Sequence, residues 1–307
     1  MDGYADRLLN AIADKGTPCI VGLDPRIDQM PLFTKNSGSS SSTYEETVHD
    51  SIMAYHRCVV DAVADMIPAI KIQSAFFEQY GIGGMRAFYD TIHYAKKKGL
   101  MVIADAKRGD IGSTAQAYAN AFLSGETNGE PDKRALADCL TISPYLGKDS
   151  IDPFIKTCMK YGTGVSILVK TTNPGSADVQ NLTLSDGKKV HEHVAEMVNS
   201  YSSENPGANG YSSIGAVVGA TFPEEARKLR KMMPHAIFLV PGYGHQGGSA
   251  KNAALCFNND GLGAVVSASR SITYDFKSLD IAEEKCVSEI RLKTEAMISD
   301  INAAIKR

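Results

Sequence analysis

The sequence has no Cys-x-x-Cys pair, no apolar run approaching the length of a membrane span, no Gly-x-Ser-x-Gly turn and no excess of basic charge. Each absence removes a class of function. The six cysteines (Cys19, Cys58, Cys139, Cys158, Cys256, Cys286) lack metal-type spacing, and no His/Asp/Glu cluster supplies one, so no metal centre is expected. Cys19 and Cys139 fall in apolar runs, where a free thiol packs as a small hydrophobe. A reducing, cytoplasmic compartment is expected. Without about 20 consecutive apolar residues no transmembrane helix is expected. A net charge of −3 offers no surface for nucleic acid or an anionic membrane. The amino terminus mixes Asp2, Asp6, Arg7, Asp14 and Lys15 with apolar residues, which predicts an amphipathic surface helix rather than a secretion signal.

What is present is alternation. Eight apolar, β-rich runs end in polar or glycine residues: Cys19–Asp24, Pro68–Gln73, Met101–Lys107, Cys139–Tyr145, Val165–Thr171, Ser213–Thr221, Ile237–Gly244 and Gly263–Arg270. The gaps carry helical patterns over Tyr44–Asp65, Gly84–Lys98, Ser113–Leu123, Asp149–Tyr161, Asp186–Ser203, Pro223–Met232 and Gly248–Phe257, and a long helix is expected over Ala282–Lys306. Strands alternating with helices predict a parallel sheet. Eight such units predict one closed (β/α)8 barrel over residues 1–307, with the N-terminal helix and the long C-terminal helix appended. An open doubly wound sheet would need a glycine fingerprint after the first strand, and Gly22-Leu23-Asp24-Pro25-Arg26 is not one. The serine-rich stretch 36–43 reads as a flexible insertion, and Glu126–Lys133 and Glu204–Gly210 as polar loops.

The barrel is organised around Val102 to Thr114. On a strand, Ile103, Asp105 and Lys107 share one face and Val102, Ala104 and Ala106 the other. Burying Asp and Lys is costly unless they are paired, and Asp110 is close enough in sequence to flank the same ammonium. A purely structural reading, an ion pair followed by a capping box from Ser113 to Gln116, stands beside the functional one. The other strand ends favour function. Strand one ends in Asp24 and strand two in Lys71 and Gln73. Strand four ends in Ser143 and strand five in Lys170-Thr171-Thr172-Asn173-Pro174. Chemistry in such barrels sits at the C-terminal ends of the strands, and phosphate at the turns after strands seven and eight. Those turns read Pro241 to Gly248, containing Gln246 as a lid candidate, and Ser269-Arg270-Ser271. Glycine lets backbone N–H groups approach an anion, and a guanidinium grips phosphate oxygens bidentately. Among the histidines, His93, His191 and His193 are expected on solvated helix faces, and His245 is incidental.

Asp105-x-Lys107-x-x-Asp110 with Ile111 and Thr114, together with Asp24, Ile70-Lys71, Lys170 to Pro174, Pro241-Gly242-x-x-x-Gln246-Gly247 and Arg270, resembles the orotidine 5′-monophosphate decarboxylase family. The likeness is to the subfamily found in some bacteria and protists, and it runs from the first strand to the eighth. Ser269 departs from it, since the family often has glycine there. The resemblance implies conversion of orotidine 5′-monophosphate to UMP and CO2 with no metal or organic cofactor. It implies that Lys107 donates the proton to C6 and that Asp105 sits beside the departing carboxylate. Lys71 and Asp24 would hold the ribose hydroxyls and the charge network, and Thr172 the pyrimidine edge. Gln246 and Arg270 would bind phosphate, and Asp110 and Thr114 would reach the neighbour's site across a homodimer.

Three rivals remain open. A magnesium-dependent sugar-phosphate decarboxylase or epimerase would carry an acid at the end of strand two, where Lys71 stands. A Schiff-base aldolase would use Lys107 or Lys170. A non-catalytic nucleotide-binding barrel has no need to bury two lysines.

Overall fold

The computed structural model describes residues 2–35, 43–126, 136–244 and 247–306. Eight parallel strands close into a barrel in sequence order: β1 Cys19–Leu23, β2 Ala69–Gln73, β3 Met101–Arg108, β4 Cys139–Ile142, β5 Gly164–Lys170, β6 Ser212–Val218, β7 Ala236–Val240 and β8 Ala264–Ala268. Their residues are almost all buried, as expected where helices cover the outside and side chains fill the inside. The main helices are α1 Tyr4–Lys15, α2 Tyr44–Val63, α3 Gly81–Lys97, α4 Gly112–Ala119, α5 Lys148–Tyr161, α6 Val190–Glu204, α7 Pro223–Met232, α8 Ala250–Ala254 and α9 Glu283–Ile305. The expected barrel is therefore the fold.

The strand faces divide the core in two. Val102, Ala104 and Ala106 join the layer between sheet and helices, whereas Ile103 faces the interior with Ile20, Ala69 and Cys139. The small alanines leave room for helix packing, as the alternation in β3 predicts. Helix α1 is more than a surface helix. Tyr4, Ala5, Leu8, Leu9 and Ile12 belong to the interior cluster and cover the N-terminal end of the barrel. Gly164 makes this possible, because a Cβ there would lie 2.3 Å from the Tyr4 ring. Asp6 holds the helix down, accepting hydrogen bonds from the backbone N–H groups of Ala208 (3.1 Å) and Asn209 (3.0 Å). With that end covered, the opposite end is the open one.

Several local expectations need correction. The segment 186–189 is not helical; Thr183 and Lys189 form an isolated bridge, and α6 starts at Val190. The 113–123 helix ends at Ala119 and continues as a π-turn over Asn120–Ser124. No capping box starts α4. Its cap is Ile111, and the Ile111 N–H is taken by the Asp110 carboxylate at 2.8 Å. His191 is buried, not solvated, with Nδ1 2.7 Å from the Gln180 carbonyl oxygen, while His93 and His193 are exposed. The serine-rich stretch (except Thr43), most of the 126–133 loop, His245 and Gln246 lie outside the described residues. All six cysteines are free and buried.

A buried histidine gives the fold a pH dependence. His56 on α2 is enclosed, with Nδ1 3.1 Å from Thr91 Oγ1 and Nε2 without a partner. Burial pushes its imidazole down to about 3. The unfolded chain protonates this ring near pH 6.5, so the folded state loses stability as pH falls below that value, by about 1.4 kcal/mol per unit. Thermal unfolding followed across that range should show the slope, and His56→Phe should flatten it. An unchanged slope in the variant would assign the acid sensitivity elsewhere.

Candidate active site

Register decides which side chains meet at the open end. Gly22 on β1 pairs with Lys71 on β2, and Gln73 pairs with Asp105 on β3. Asp24, Lys71, Asp105 and Lys107 consequently line a single cavity of about 510 Å³. Asp105 is its hub. Its Oδ1 lies 2.7 Å from Lys107 Nζ and accepts from Thr141 Oγ1 at 2.9 Å. Its Oδ2 accepts from Lys71 Nζ at 3.1 Å and from Gln73 Nε2 at 2.9 Å. Asp24 Oδ1 stands on the other side of Lys71, 3.7 Å from Nζ.

These neighbours fix the charge states. Burial alone would raise the Asp105 carboxyl, but Lys71 and Lys107 outweigh it and hold the group far below the usual carboxylate range. Burial alone would lower the Lys71 ammonium, but Asp105 and Asp24 outweigh it and raise the group. The site is thus an array of fixed ions that is ready before a substrate enters, the condition for strong electrostatic stabilisation of a transition state. Lys71 is 7 % exposed, whereas the Lys107 side chain keeps 44 % of its surface and points its ammonium at the open cavity.

Lys107 carries a feature the sequence did not announce. Its φ is +48°, and Lys107 and Lys306 are the non-glycine residues with positive φ among those described. The β3–β4 register shifts between Ala104 and Arg108, a bulge of the kind that re-aims a side chain. A left-handed lysine costs about 1–3 kcal/mol unless its surroundings impose it. Here the Lys107 N–H donates to Thr141 Oγ1 at 3.0 Å, and the same hydroxyl donates to Asp105. Thr141 therefore holds both the backbone and the counter-ion of Lys107.

Thr172 and Arg270 also line the cavity. Thr172 fits because Gly219 leaves space, where a Cβ would lie 2.5 Å from Thr172 Cγ2. Arg270 follows β8, and its guanidinium has no ion-pair partner among the described residues. The turn after β7 closes through the Gly248 N–H donating to the Gly242 carbonyl at 2.9 Å, with Gly242 at φ +96°. Asp110 and Thr114 do not line this cavity, and Asp110 does not pair with Lys107 within the chain. Lys170 is fully buried behind the cavity wall. It donates to Asn181 Oδ1 at 2.9 Å and to Ser176 Oγ at 3.2 Å, which removes it as a Schiff-base nucleophile. Thr141, Arg26 and Phe76 surround or line the site with no functional signal in the sequence, and Gln73 and Ser267, polar strand ends, line it too.

Ser269 is accommodated by Gly22. A Cβ on Gly22 would lie 1.8 Å from Ser269 Oγ and 2.9 Å from its Cβ. Gly22→Ala should therefore cost about 1–3 kcal/mol of stability, the usual range for overpacking. Adding Ser269→Gly should restore most of it. Denaturant unfolding of the single and double variants checks this, and an equally unstable double variant would refute the pairing.

Fold and mouth together define the class: a (β/α)8-barrel enzyme built around a lysine–aspartate–lysine array at the C-terminal ends of its strands. The sequence matches the Orotidine 5′-phosphate decarboxylase / HUMPS family over residues 20–283. It is 45% identical over 279 residues to an orotidine 5′-phosphate decarboxylase of Rhodopirellula baltica, covering 89% of each chain. It is 38% identical over 308 residues to the enzyme of that name from Caldicellulosiruptor saccharolyticus, covering 99% of this chain and 100% of the other. Among solved structures, it aligns with the Leishmania donovani OMP decarboxylase at a TM-score of 0.74 and 29% identity, over 99% of both chains. It also aligns with the UMP synthase of that organism at 0.75 and 30% identity, over 99% of this chain and 57% of the other. The chain belongs to the orotidine 5′-phosphate decarboxylase / HUMPS family.

Proposed function

We propose that the chain decarboxylates orotidine 5′-phosphate to UMP and CO2, the last step of de novo pyrimidine synthesis, with Lys107 as the proton donor. The observation that carries this reading is the Lys71–Asp105–Lys107 array, with the more exposed ammonium, that of Lys107, lining the cavity. The C6–carboxylate bond breaks, CO2 departs, and the electron pair stays on C6. A Lys107 Nζ proton then forms the C6–H bond, and solvent returns the proton to the amine. The ring offers no adjacent π-sink for the pair, so a cation at C6 is the simplest stabiliser, and an ammonium can also give up its proton, which a guanidinium cannot.

One ammonium is insufficient. Two unit charges 4 Å apart interact by roughly 4 kcal/mol at an effective dielectric of about 20. Large enzymatic accelerations require up to about 23 kcal/mol. The remainder is drawn from fixed charges and from binding of the distant phosphate. In this reading Asp105 faces the departing carboxylate, and Lys71 and Asp24 hold the ribose hydroxyls. Thr172 meets the pyrimidine edge, while Arg270 and Gln246 take the phosphate. Asp110 and Thr114 serve a neighbouring chain in a homodimer. Exposed Ile111 between them, with 56 % of its surface free, suits such an interface. No described helix is long and apolar enough to cross a membrane, and residence in the cytoplasm goes with the reading.

The experiment is direct. Incubating the protein with orotidine 5′-phosphate should produce UMP, followed by the change in ultraviolet absorbance. The rate should survive EDTA, because lysine and aspartate already balance the site without an added cation. Loss of activity in EDTA, regained with Mg²⁺, would favour the magnesium-dependent sugar-phosphate chemistry instead. Absence of turnover despite UMP binding would favour a non-catalytic nucleotide-binding barrel.

A further inference from the structure

We infer that Arg26, two residues beyond Asp24, is a second guanidinium for the phosphate of the substrate, acting opposite Arg270. This rests on reading the β7–β8 end of the mouth as the phosphate end. Strand β1 lies beside β8 in the closed barrel, with Val21 in register with Ala268. Residues just past the ends of these two strands are therefore neighbours. Arg26 and Arg270 both line the main cavity, and both also line the adjoining cavity of about 430 Å³ that opens toward Tyr274.

The partners of Arg26 are unusual. Its backbone N–H donates to Tyr274 Oη at 3.1 Å, and the next N–H, of Ile27, donates to Tyr80 Oη at 3.2 Å. The main chain is thereby pinned. The guanidinium lies over the Phe76 ring, 4.5 Å from its centroid, and Phe76 itself lines the cavity. Nε is buried and makes no hydrogen bond. Two other arginines have a buried Nε without a partner, but their outer nitrogens are engaged: Arg108 with Glu78, and Arg230 with the Gly263 and Ala236 carbonyls. No atom of the Arg26 guanidinium has a hydrogen-bond or ion-pair partner among the described residues. The outer N–H groups, unlike Nε, are not buried, and an incoming phosphate dianion supplies the charge-assisted acceptors they lack in the fold. The contact with the Phe76 ring holds the guanidinium at the cavity wall, and a guanidinium fork can capture phosphate oxygens bidentately.

The test compares UMP with uridine, which share everything but the phosphate. Affinities of both are measured for the wild type, Arg26→Gln and Arg270→Ala, each first shown to unfold at the wild-type temperature. Glutamine keeps much of the contact with Phe76 while removing the charge. A charge-assisted hydrogen bond is worth ten- to about a hundredfold in affinity. Arg26→Gln is expected to weaken UMP by at least about tenfold and to leave uridine nearly unchanged, with Arg26→Lys recovering part of the loss. Unchanged UMP affinity, or equal losses for UMP and uridine, overturns the assignment of Arg26. The Arg270→Ala result is read separately. If that variant leaves the UMP-to-uridine ratio unaltered, the phosphate reading of the β7–β8 end fails, whatever Arg26 does.

Discussion

Lys107→Ala is expected to abolish decarboxylation while leaving UMP binding measurable. General acid–base catalysis typically supplies a factor of about 10² to 10⁴, and electrostatic stabilisation of the developing charge adds to it. Lys107 is placed for both, so a loss of about four orders of magnitude or more is expected. The fold should tolerate the change. Asp105 would retain Lys71, Gln73 and Thr141 as donors, and the Lys107 side chain is partly exposed rather than packed. The left-handed backbone at φ +48° is as unfavourable for alanine as for lysine, so strain does not separate the variant from the wild type. The assay pairs ultraviolet absorbance of orotidine 5′-phosphate turnover with calorimetry of UMP binding. Near-wild-type turnover by the variant would remove Lys107 from the mechanism.

Asp105→Asn should damage both activity and stability. The substitution leaves Lys71, which is 7 % exposed, with Asp24 at 3.7 Å as its remaining counter-ion. Breaking a buried charge pair by removing one member typically costs about 3–5 kcal/mol. The sign of its pH dependence follows from the two groups. Asp105 is held below the ordinary carboxylate range, so its contribution is complete above about pH 4 and is lost as pH falls toward the folded value. Lys71 is raised, so its contribution is present below about pH 10 and is lost as pH rises through the folded value. The gap in unfolding temperature between wild type and variant should thus be widest near neutrality and close toward acid. A constant gap from neutral to strongly acid pH would show that Asp105 stabilises by packing and not by charge.

Much of this architecture was legible because charge inside an apolar strand is conspicuous. Asp105 and Lys107 interrupt the apolar run of β3, and Lys71 stands between Ile70 and Ile72 in β2. Arg270 was readable from its place after the eighth strand. The sequence places all eight strands but carries the seventh too far: the run Ile237–Gly244 shares only residues 237–240 with β7 (Ala236–Val240), since the glycine turn that follows is itself poor in charge. Thr141 gives no signal in the sequence because threonine is an ordinary strand former, and Gln73 reads only as a neutral polar strand end with no role attached. Their roles appear only when register sets them beside Asp105. The backbone of Lys107 was hidden for a different reason, since no glycine marked the left-handed position. Arg26 reads in the sequence only as part of a turn, and its lack of partners is a property of three-dimensional surroundings. Asp110 and Thr114 point the other way: the sequence pattern groups them with Lys107, but within one chain nothing brings them to the cavity.

The central claim is that the Lys107 ammonium delivers the proton to C6, and hydrogen exchange at that carbon tests it without relying on decarboxylation. UMP incubated in D2O with the wild-type protein should lose its C6 proton signal by NMR, as Lys107 removes and returns hydrogen at that position, and the Lys107→Ala protein should leave the signal intact while still binding UMP. Exchange at C6 that proceeds equally well in the variant would contradict the account.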